Sequence, residues 1–270
     1  MERKQGKFTL FDEAGFTAWL GKQTVSRQIT LVQNHHTYIP GYKHFKGDNH
    51  FALQQGMERS HLERGFAEIA QHFTTLPDGT VITGRSLEKI PAGIKGANTG
   101  AICIEHLGNF DQGGDAMTPA HRALIIRLNA LLCHKFRLTA DSHHIVYHHW
   151  YDLNTGERKN GAGSTKSCPG SAFFGGNKVA DAEANFLPLI RTELDAMSAA
   201  KAVKDPLWRG RVCNTDSLNV RDTHAASGKK IKSLTAGVIV GIYSEKAGWV
   251  KIDPKAALWV NKKYLEPVAA

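Results

Sequence analysis

Residues 29–36 read Ile-Thr-Leu-Val-Gln-Asn-His-His, an apolar run that ends in two histidines. The run at 29–34 predicts a buried strand, and it places His35 and His36 at the carboxyl end of that strand. Binding groups in α/β sheets gather at the carboxyl ends of the strands. The histidine pair is therefore a candidate for a functional site, although such pairs are also common as purely structural features.

Two further apolar runs end in side chains that carry chemistry. Residues 100–108 predict a central strand with Glu105 near its end. A buried carboxylate needs a partner, so Glu105 belongs either to an edge position or to a functional site. Residues 145–147 predict a short strand that leads directly into His148 and His149. The chain thus offers two histidine pairs and one carboxylate from which a site can form.

The stretch Lys-Ser-Cys-Pro-Gly at residues 166–170 supplies a further candidate group. Proline and glycine after the cysteine predict a turn. A thiolate in this turn would suit a metal ion, and Lys166 would meet negative charge formed there. Cys103 and Cys133 lie in apolar runs and are interpreted as core residues. Cys168 differs from them, because it lies among Lys, Ser, Pro and Gly. Taken alone, a stretch of this kind is more often a loop with an ordinary semi-buried cysteine.

The other segments up to residue 197 alternate between helical and strand patterns. Helices are predicted at residues 8–22, 51–66, 118–138 and 181–197, and a hairpin at residues 71–84. Pro188 is expected to start or kink a helical segment, because proline cannot continue an unbroken helix. This alternation predicts an α/β domain.

The character of the sequence changes after residue 197. Residues 198–206 have almost no large core side chains and are interpreted as a linker. Residues 207–270 consist of short alternating segments separated by turns, a pattern typical of a small all-β barrel.

The composition is that of a soluble globular protein, since 41% of the 270 residues are hydrophobic and 22% are charged. No apolar run approaches the ~20 residues that span a bilayer, and no apolar segment of a secretory signal follows the basic N-terminus. The net charge of +9 favours an anionic partner, either nucleic acid or the anionic bacterial cell wall. Because the basic residues are scattered, general solubility also explains this charge.

Residues 24–197 resemble the zinc-dependent N-acetylmuramoyl-L-alanine amidases, a family that includes phage amidase lysozymes, peptidoglycan recognition proteins and the bacterial anhydro-muramyl amidase. The resemblance rests on four segments in the family's order: a first-ligand strand at 32–38, a helix and hairpin at 61–85, a second-ligand strand at 145–148 and the closing turn at 166–170. Each motif is weak alone, but the ordered set is specific. It implies a central mixed β-sheet flanked by helices.

The resemblance implies a Zn²⁺ ion bound by His35, His148 and Cys168, with the fourth position open for water. Two imidazoles and a thiolate match the ligands that zinc prefers. Zinc-activated water would then cleave the amide bond between the lactyl group of N-acetylmuramic acid and L-alanine of the stem peptide. Glu105 would transfer the protons, and Lys166 would stabilise the oxyanion.

One departure from the family concerns the proton-transfer group. The family often has Gly-Tyr before the hairpin His-Phe, and this tyrosine assists catalysis in the phage type, whereas the present chain has Ala70 and Gln71. Glu105 stands where the anhydro-muramyl amidases carry a catalytic glutamate. We therefore expect Glu105 to replace the tyrosine.

A second departure is the enlarged loop at residues 151–164, which lengthens the interval between the second and third ligands. His148 is favoured over His149 as a ligand, because Ile-Val-x-His matches the family's strand. His36, His72 and His149 are interpreted as groups that support the ligands or the fold.

Residues 209–267 resemble a bacterial Src-homology-3-like domain, a class that usually binds the cell wall. The resemblance includes Leu-Asn-Val-Arg at 218–221 and Gly-Trp-Val-Lys-Ile at 248–252. Trp249 and Trp259 are expected to pack in the core more than to contact a ligand. The expected organisation is a zinc amidase domain at 1–197, a linker at 198–206 and a wall-binding domain at 207–270.

The expected partner is peptidoglycan, without nucleic acid and without membrane insertion, and a monomer is favoured. A protein made in the cytoplasm would reach the wall through a holin or a secretion system. Two other functions stay open: a non-catalytic peptidoglycan receptor and an amidase that recycles muropeptides. A nucleic-acid binder is remote, because the chain has no basic stripe or aromatic stacking motif.

Overall fold

A computed structural model describes residues 1–268, with only the backbone described at residues 200–204. The chain divides into two compact units, Met1–Leu194 and Asp195–Ala270. Each unit has its own strands and its own buried core.

The first unit is built on a seven-stranded sheet. Its strands are β1 (Glu2–Gln5), β2 (Phe8–Phe11), β3 (Leu31–His36), β4 (Phe73–Thr75), β5 (Val81–Thr83), β6 (Ala101–His106) and β7 (Ile145–Tyr147). They lie in the order β1-β2-β5-β4-β6-β3-β7. The pairs β4–β6, β6–β3 and β3–β7 are parallel and the others antiparallel. The prediction of an α/β fold with a central mixed sheet is confirmed.

The helices are α1 (Glu13–Lys22), α2 (His50–Glu63), α3 (Pro119–Phe136), the single turn α4 (Val179–Asp181) and α5 (Leu187–Lys204). Thr118 caps α3 by accepting a hydrogen bond from the backbone N–H of His121, and proline occupies the first turn. Pro188 is the second residue of α5, which follows a π-helical segment, Ala182–Phe186, so this proline does start a helical segment. No helix in the described part of the chain is long and apolar enough to cross a membrane.

The predicted N-terminal helix at residues 8–22 was wrong in its first part. Residues 8–11 form strand β2, which pairs with β1 and β5, and only residues 13–22 are helical. Phe8 and Leu10 are both buried in the sheet, as strand alternation requires. Asp12 then caps α1 by accepting from the backbone N–H of Gly15, which ends the strand and begins the helix.

The parallel register places the predicted site residues side by side. His35 on β3 is paired with Glu105 on β6, and His36 with His106. Adjacent residues of a strand point to opposite faces of the sheet, and residues paired across strands share a face. The carboxyl ends of β3, β6 and β7 therefore deliver two sets of side chains, one to each face.

The second unit contains eight strands: β8 (Trp208–Val212), β9 (Ser217–Arg221), β10 (Lys230–Thr235), β11 (Ile239–Ile242), β12 (Ser244–Lys246), β13 (Trp249–Lys251), β14 (Trp259–Asn261) and β15 (Leu265–Val268). They form two antiparallel sheets, β10-β9-β14-β13-β12 and β11-β8-β15. Trp249 and Trp259 are partly buried. The linker predicted at residues 198–206 was wrong as far as Lys204, because helix α5 continues to that residue.

Candidate active site

Three buried side chains from distant parts of the chain meet at the carboxyl end of β3. His35 belongs to β3, His148 follows β7 in a short 3-10 turn, and Cys168 lies in the loop after residue 164. Their candidate ligand atoms all lie within 4.8 Å of one another. The Nδ1 atoms of His35 and His148 are 3.2 Å apart, and Sγ of Cys168 is 3.5 Å from Nδ1 of His35.

Hydrogen bonds from neighbouring groups orient this cluster. Nε2 of His35 donates to Oε1 of Gln33 at 3.4 Å, which leaves Nδ1 unprotonated and facing the other two groups. The backbone N–H of His36 donates to Sγ of Cys168 at 3.4 Å. Gly93 is packed tightly here, since a Cβ at this position would stand 2.1 Å from Oε1 of Gln33. The orientation of His35 thus depends on its neighbours in β3 and on a glycine from another segment.

The three side chains could hold a metal ion, and two imidazoles with a thiolate are the kinds of ligand that zinc prefers. Zinc–nitrogen bonds of about 2.1 Å and zinc–sulfur bonds of about 2.3 Å place tetrahedral ligand atoms roughly 3.3–3.6 Å apart. The distances of 3.2 Å from His35 to His148 and 3.5 Å from His35 to Cys168 are close to these values. Burial lowers the pKa of His35 well below its usual value and that of His148 to about 4, so both imidazoles are neutral, as ligands must be. Burial also raises the pKa of the Cys168 thiol, and a bound cation is the partner that would favour its thiolate.

Glu105 presents a carboxylate without a partner to the same region. It lines the cavity next to the cluster, and its Oε2 atom is buried without a hydrogen-bond partner among the described residues. Burial raises the pKa of Glu105 to about 8, while the positive charges of Lys166 and Arg64 act in the opposite direction. The position predicted from sequence as edge or site is therefore central in the sheet and open to the cavity.

Lys166 is exposed and lines the same cavity, two residues before Cys168. Its carbonyl oxygen accepts a hydrogen bond of 2.8 Å from Nδ1 of His149. The backbone N–H of His149 donates to the carbonyl of Cys168, also at 2.8 Å. His149 therefore connects the lysine–cysteine turn to the chain after β7, and the group of possible metal ligands contains His148 and not His149.

The other two histidines considered from the sequence make structural contacts. Nδ1 of His36 accepts a hydrogen bond from the backbone N–H of Phe110 at 3.1 Å. His72 is fully buried, and its Nδ1 accepts from the backbone N–H of Cys103 at 2.9 Å. Burial lowers the pKa of His36 to about 4 and that of His72 to about 3, so both rings are neutral.

The cluster opens into a cavity of about 830 Å³. Sequence reasoning assigned no role to several of its lining residues. Tyr38 and Ile39 are 53% and 70% exposed and form an apolar rim. Gln71 is buried, and its Oε1 has no hydrogen-bond partner in the part of the chain that the structure describes. Arg64 and Phe66 line the cavity beyond the end of α2. In the sequence, the only indication that these two residues belong to a site was their position within the helix and hairpin motif at residues 61–85.

A chain of buried polar side chains lies on the opposite face of the same strand ends. His106 donates from Nε2 to Oδ1 of Asn34 at 3.0 Å and accepts from the hydroxyl of Thr75 at 2.8 Å. Thr75 in turn accepts from Nε2 of His121 at 2.7 Å, and Nδ1 of His121 accepts from the hydroxyl of Tyr42 at 2.8 Å. Every donor has an acceptor when both imidazoles are neutral. This chain joins β3, β6, β4 and α3 directly beneath the candidate site.

The sequence of this chain is similar to a family of amidases and to a phage endolysin. A family model described as N-acetylmuramoyl-L-alanine amidase matches residues 25–171. An endolysin of Enterobacteria phage K11 is 29% identical over 89 residues, which are 33% of this chain and 58% of that protein. The chain therefore aligns with less than two thirds of that endolysin's length.

Two solved structures are also similar. N-acetylmuramoyl-L-alanine amidase LysC from Clostridium intestinale URNW is 21% identical with a TM-score of 0.43, over 63% of this chain and 87% of that one. Drosophila PGRP-LB is 20% identical with a TM-score of 0.45, over 60% of this chain and 84% of that one.

Proposed function

Since the chain belongs to the N-acetylmuramoyl-L-alanine amidase family, we propose that it is an enzyme that hydrolyses the amide bond between the lactyl group of N-acetylmuramic acid and L-alanine of the peptidoglycan stem peptide. One observation carries this proposal. Three buried ligand-type side chains, a partnerless carboxylate and an ammonium group converge on one open cavity.

His35, His148 and Cys168 would hold a Zn²⁺ ion through two imidazole nitrogens and a thiolate. Three protein ligands are typical of catalytic zinc sites, which keep one position free. When bound, zinc supplies a Lewis acid and lowers the pKa of water to about 7. Gln33 and the backbone N–H of His36 would hold His35 and Cys168 in their ligating orientations.

Glu105 would move the protons. Its Oε2 accepts a proton from the attacking water as the water oxygen bonds to the carbonyl carbon, and then delivers it to the alanine nitrogen as the C–N bond breaks. The products are a free lactyl carboxylate and a stem peptide with a free N-terminal amine. A carboxylate with a pKa of about 8 is suited to both steps near neutral pH, because it binds and releases protons readily there.

Lys166 would stabilise the negative charge that develops on the carbonyl oxygen. Its ammonium group projects from the turn that carries Cys168 and lines the cavity. A cation that is already in place when charge develops lowers the barrier without reorganisation.

The experiment that tests this function is mass spectrometry of purified peptidoglycan after incubation with the protein, with and without a zinc chelator. We expect release of stem peptides with a free N-terminal alanine, and loss of this release with the chelator. Wall binding without release by the zinc-loaded protein would overturn the enzymatic proposal and favour a non-catalytic receptor. Glu105 and Lys166 favour the enzyme, because a receptor needs neither group.

The second unit is proposed to be a Src-homology-3-like domain that binds the cell wall. Thirteen Lys and Arg residues and seven Asp and Glu residues lie within residues 195–270, so this unit is positively charged. Lys229, Lys230 and Lys232 are exposed in and beside strand β10. Anionic wall polymers would be attracted to such a surface. A wall-binding unit favours a lytic enzyme, such as an endolysin, over one that recycles free muropeptides.

A further inference from the structure

The enlarged loop at residues 151–164 joins two of the three candidate metal ligands, and none of the roles proposed above uses it. His148 precedes the loop and Cys168 follows it. A chain segment that becomes ordered only when an ion binds subtracts the cost of its ordering from the binding free energy. The contacts within this loop therefore decide how far the site is formed before the ion arrives.

The side chain of Asp152 closes the loop. Asp152 is buried, and its Oδ1 accepts hydrogen bonds from the backbone N–H groups of Asn154 and Thr155, both at 2.9 Å. Its Oδ2 accepts from the backbone N–H of Ser164 at 3.0 Å, and the carbonyl of Ser164 accepts from the N–H of Leu153 at 2.7 Å. These backbone donors, first that of Thr155 and then that of Ser164, lower the pKa of Asp152 to about 2. The beginning of the loop is thus held against its end.

A glycine contact docks the loop on a neighbouring segment. Gly156 and Gly96 have φ values of +77° and +80°, which glycine adopts without strain. A Cβ at Gly96 would stand 2.0 Å from the carbonyl oxygen of Gly156, and a Cβ at Gly156 would stand 3.0 Å from the carbonyl of Lys95. Nζ of Lys95 donates a hydrogen bond to the carbonyl of Asn154. The two backbones are therefore in direct contact, and a side chain at either glycine would separate them.

The segment on which the loop docks also supports the third candidate ligand. Its backbone is organised by Asn98, whose Oδ1 accepts from the N–H of Ile94 at 2.9 Å. The carbonyl of Ala97 accepts a hydrogen bond of 2.8 Å from Nε2 of Gln33, and Oε1 of the same glutamine contacts Nε2 of His35. The enlarged loop is thus connected to His35 through this segment, as well as to the other two ligands through the chain itself.

We infer that Asp152 is a positioning residue for the metal site, because by closing the loop it holds His148 and Cys168 in their ligating arrangement before the ion binds. Gly156 contributes by keeping the loop docked. This inference rests on the proposed function, which assigns a zinc ion to the two imidazoles and the thiolate. Asp152 and Gly156 both lie outside the group of possible ligands. Zinc affinity is therefore expected to depend on residues that do not touch the ion.

The test measures the zinc affinity of the full-length protein by competition with a chromogenic chelator, at a temperature at which the metal-free variants are folded. Asp152→Ala is expected to bind zinc about ten- to a hundredfold more weakly, the usual effect of losing a group that supports a ligand. Asp152→Asn is expected to lie between this variant and the wild type. Its Oδ1 still accepts from Asn154 and Thr155, whereas an amide nitrogen cannot accept from Ser164.

Asp253→Ala is the matched control for a purely structural effect. Oδ1 of Asp253 accepts from the backbone N–H groups of Lys255 at 2.8 Å and Ala256 at 2.7 Å, which is the same turn in the second unit. If Asp152 only stabilised the fold, both alanine variants would have a lower melting temperature and the zinc affinity of the wild type. Wild-type zinc affinity in Asp152→Ala would overturn the inference.

Gly156→Ala tests the docking contact independently. The added Cβ must displace the loop from Lys95, so zinc affinity is expected to fall within the same ten- to hundredfold range. Gly47→Ala is the control, because Gly47 has a φ of +84° and an added Cβ there would meet nothing within 4 Å. This control introduces the same backbone strain without displacing a neighbour. An equal loss of affinity in both glycine variants would contradict the proposed role of the docking contact.

Zinc affinity is measured without substrate, so failure of this inference is distinguishable from failure of the proposed function. Unchanged affinity in Asp152→Ala and Gly156→Ala, together with release of stem peptides by the wild type, would remove the inference and leave the amidase activity standing. The expected losses of affinity in a zinc-loaded protein that releases no stem peptides would support the inference and remove the amidase activity.

Discussion

The Nδ1 atoms of His35 and His148 face each other at 3.2 Å, although 113 residues separate them in the chain. Two imidazole nitrogens at this distance repel each other unless a proton or a cation lies between them. Sγ of Cys168 lies 3.5 Å from Nδ1 of His35 and is the third possible metal-ligand atom of the group.

Cys168→Ser is expected to lose zinc. A serine hydroxyl is a poor substitute for a thiolate, and loss of a group that only supports a ligand already costs about ten- to a hundredfold in metal affinity. Metal content after dialysis, measured by mass spectrometry of the element, checks the prediction. Cys213→Ser is the matched control, since Cys213 is a free, partly buried cysteine of the second unit. Equal zinc content in both variants would contradict the role of Cys168.

Lys166→Ala is expected to keep its zinc and to lose activity. Removal of one group that stabilises an oxyanion commonly lowers kcat by about a hundred- to a thousandfold. Steady-state kinetics with a soluble muramyl peptide, together with the metal content, measures both effects. Lys159→Ala serves as the control, because Lys159 is exposed and pairs with Glu157 at 3.3 Å. Wild-type kcat in Lys166→Ala would rule out this function of the lysine.

Glu105→Gln is expected to lower kcat by about a hundred- to ten-thousandfold, the usual contribution of a general acid–base group. The amide has nearly the same shape but cannot accept a proton from water. Because Oε2 of Glu105 has no hydrogen-bond partner among the described residues, the substitution breaks no hydrogen bond there and the melting temperature should not fall. Glu2→Gln, on the exposed strand β1, controls for removal of a negative charge. Full activity of Glu105→Gln would exclude it as the proton-transfer group.

The buried histidine of α3 is expected to make stability depend on pH. Burial lowers the pKa of His121 to about 3, partly offset by the charge of Asp78 and the contact with Thr75. Between pH 3 and the unfolded pKa near 6.5, the unfolded chain binds a proton that the folded protein does not. Stability therefore falls as the pH falls through this window, by about 1.4 kcal/mol per pH unit for this group.

Chemical denaturation at pH 7 and pH 5 measures this effect. His121→Gln is expected to be less stable at pH 7, because it cannot reproduce the contacts of the ring with Tyr42 and Thr75. It should also lose about 2 kcal/mol less than the wild type between the two pH values. An identical loss in both proteins would show that this histidine does not contribute to the acid sensitivity.

The combined substitution of Lys229, Lys230 and Lys232 by glutamine is expected to weaken wall binding while soluble substrates are cleaved at the wild-type rate. Attraction between exposed charges is screened by salt, so the difference should diminish as the ionic strength rises. Co-sedimentation with purified cell walls checks the prediction. Glutamine at Lys22, Lys43 and Lys46, three exposed lysines of the first unit, removes the same charge elsewhere. Equal binding of both triple variants would contradict a specific role for the β10 surface.

Local patterns in the sequence were sufficient for most of the first unit. Alternation and short apolar runs predicted the hairpin of β4 and β5 and the strands β3, β6 and β7, and helical spacing with a Thr-Pro start predicted α3. The prediction failed at residues 8–11, where a dense group of aromatic residues fits a helix or a strand equally well. Pairing with β1 and β5 decided between them, and such pairing is not encoded locally.

The sequence by itself determined which residue types were available for a site and in which order they occur. The resemblance of four ordered segments to a known family implied a zinc hydrolase that uses His35, Glu105, His148 and Cys168. The tertiary structure decided how they face one another. The parallel register sets Glu105 beside His35, and the 3-10 turn after β7 directs His148, and not His149, towards His35.

Only the tertiary structure revealed the unpartnered groups. The buried Oε2 of Glu105, which has no hydrogen-bond partner among the described residues, is a property of its surroundings, and residues far away in the chain create those surroundings. The periodicity of a sequence predicts which face of a helix or strand is apolar, because the residues of one face are only a few positions apart in the chain. Hydrogen-bond partners, burial and charge depend on long-range contacts, so the identity of a functional group can be predicted locally while its reactivity cannot.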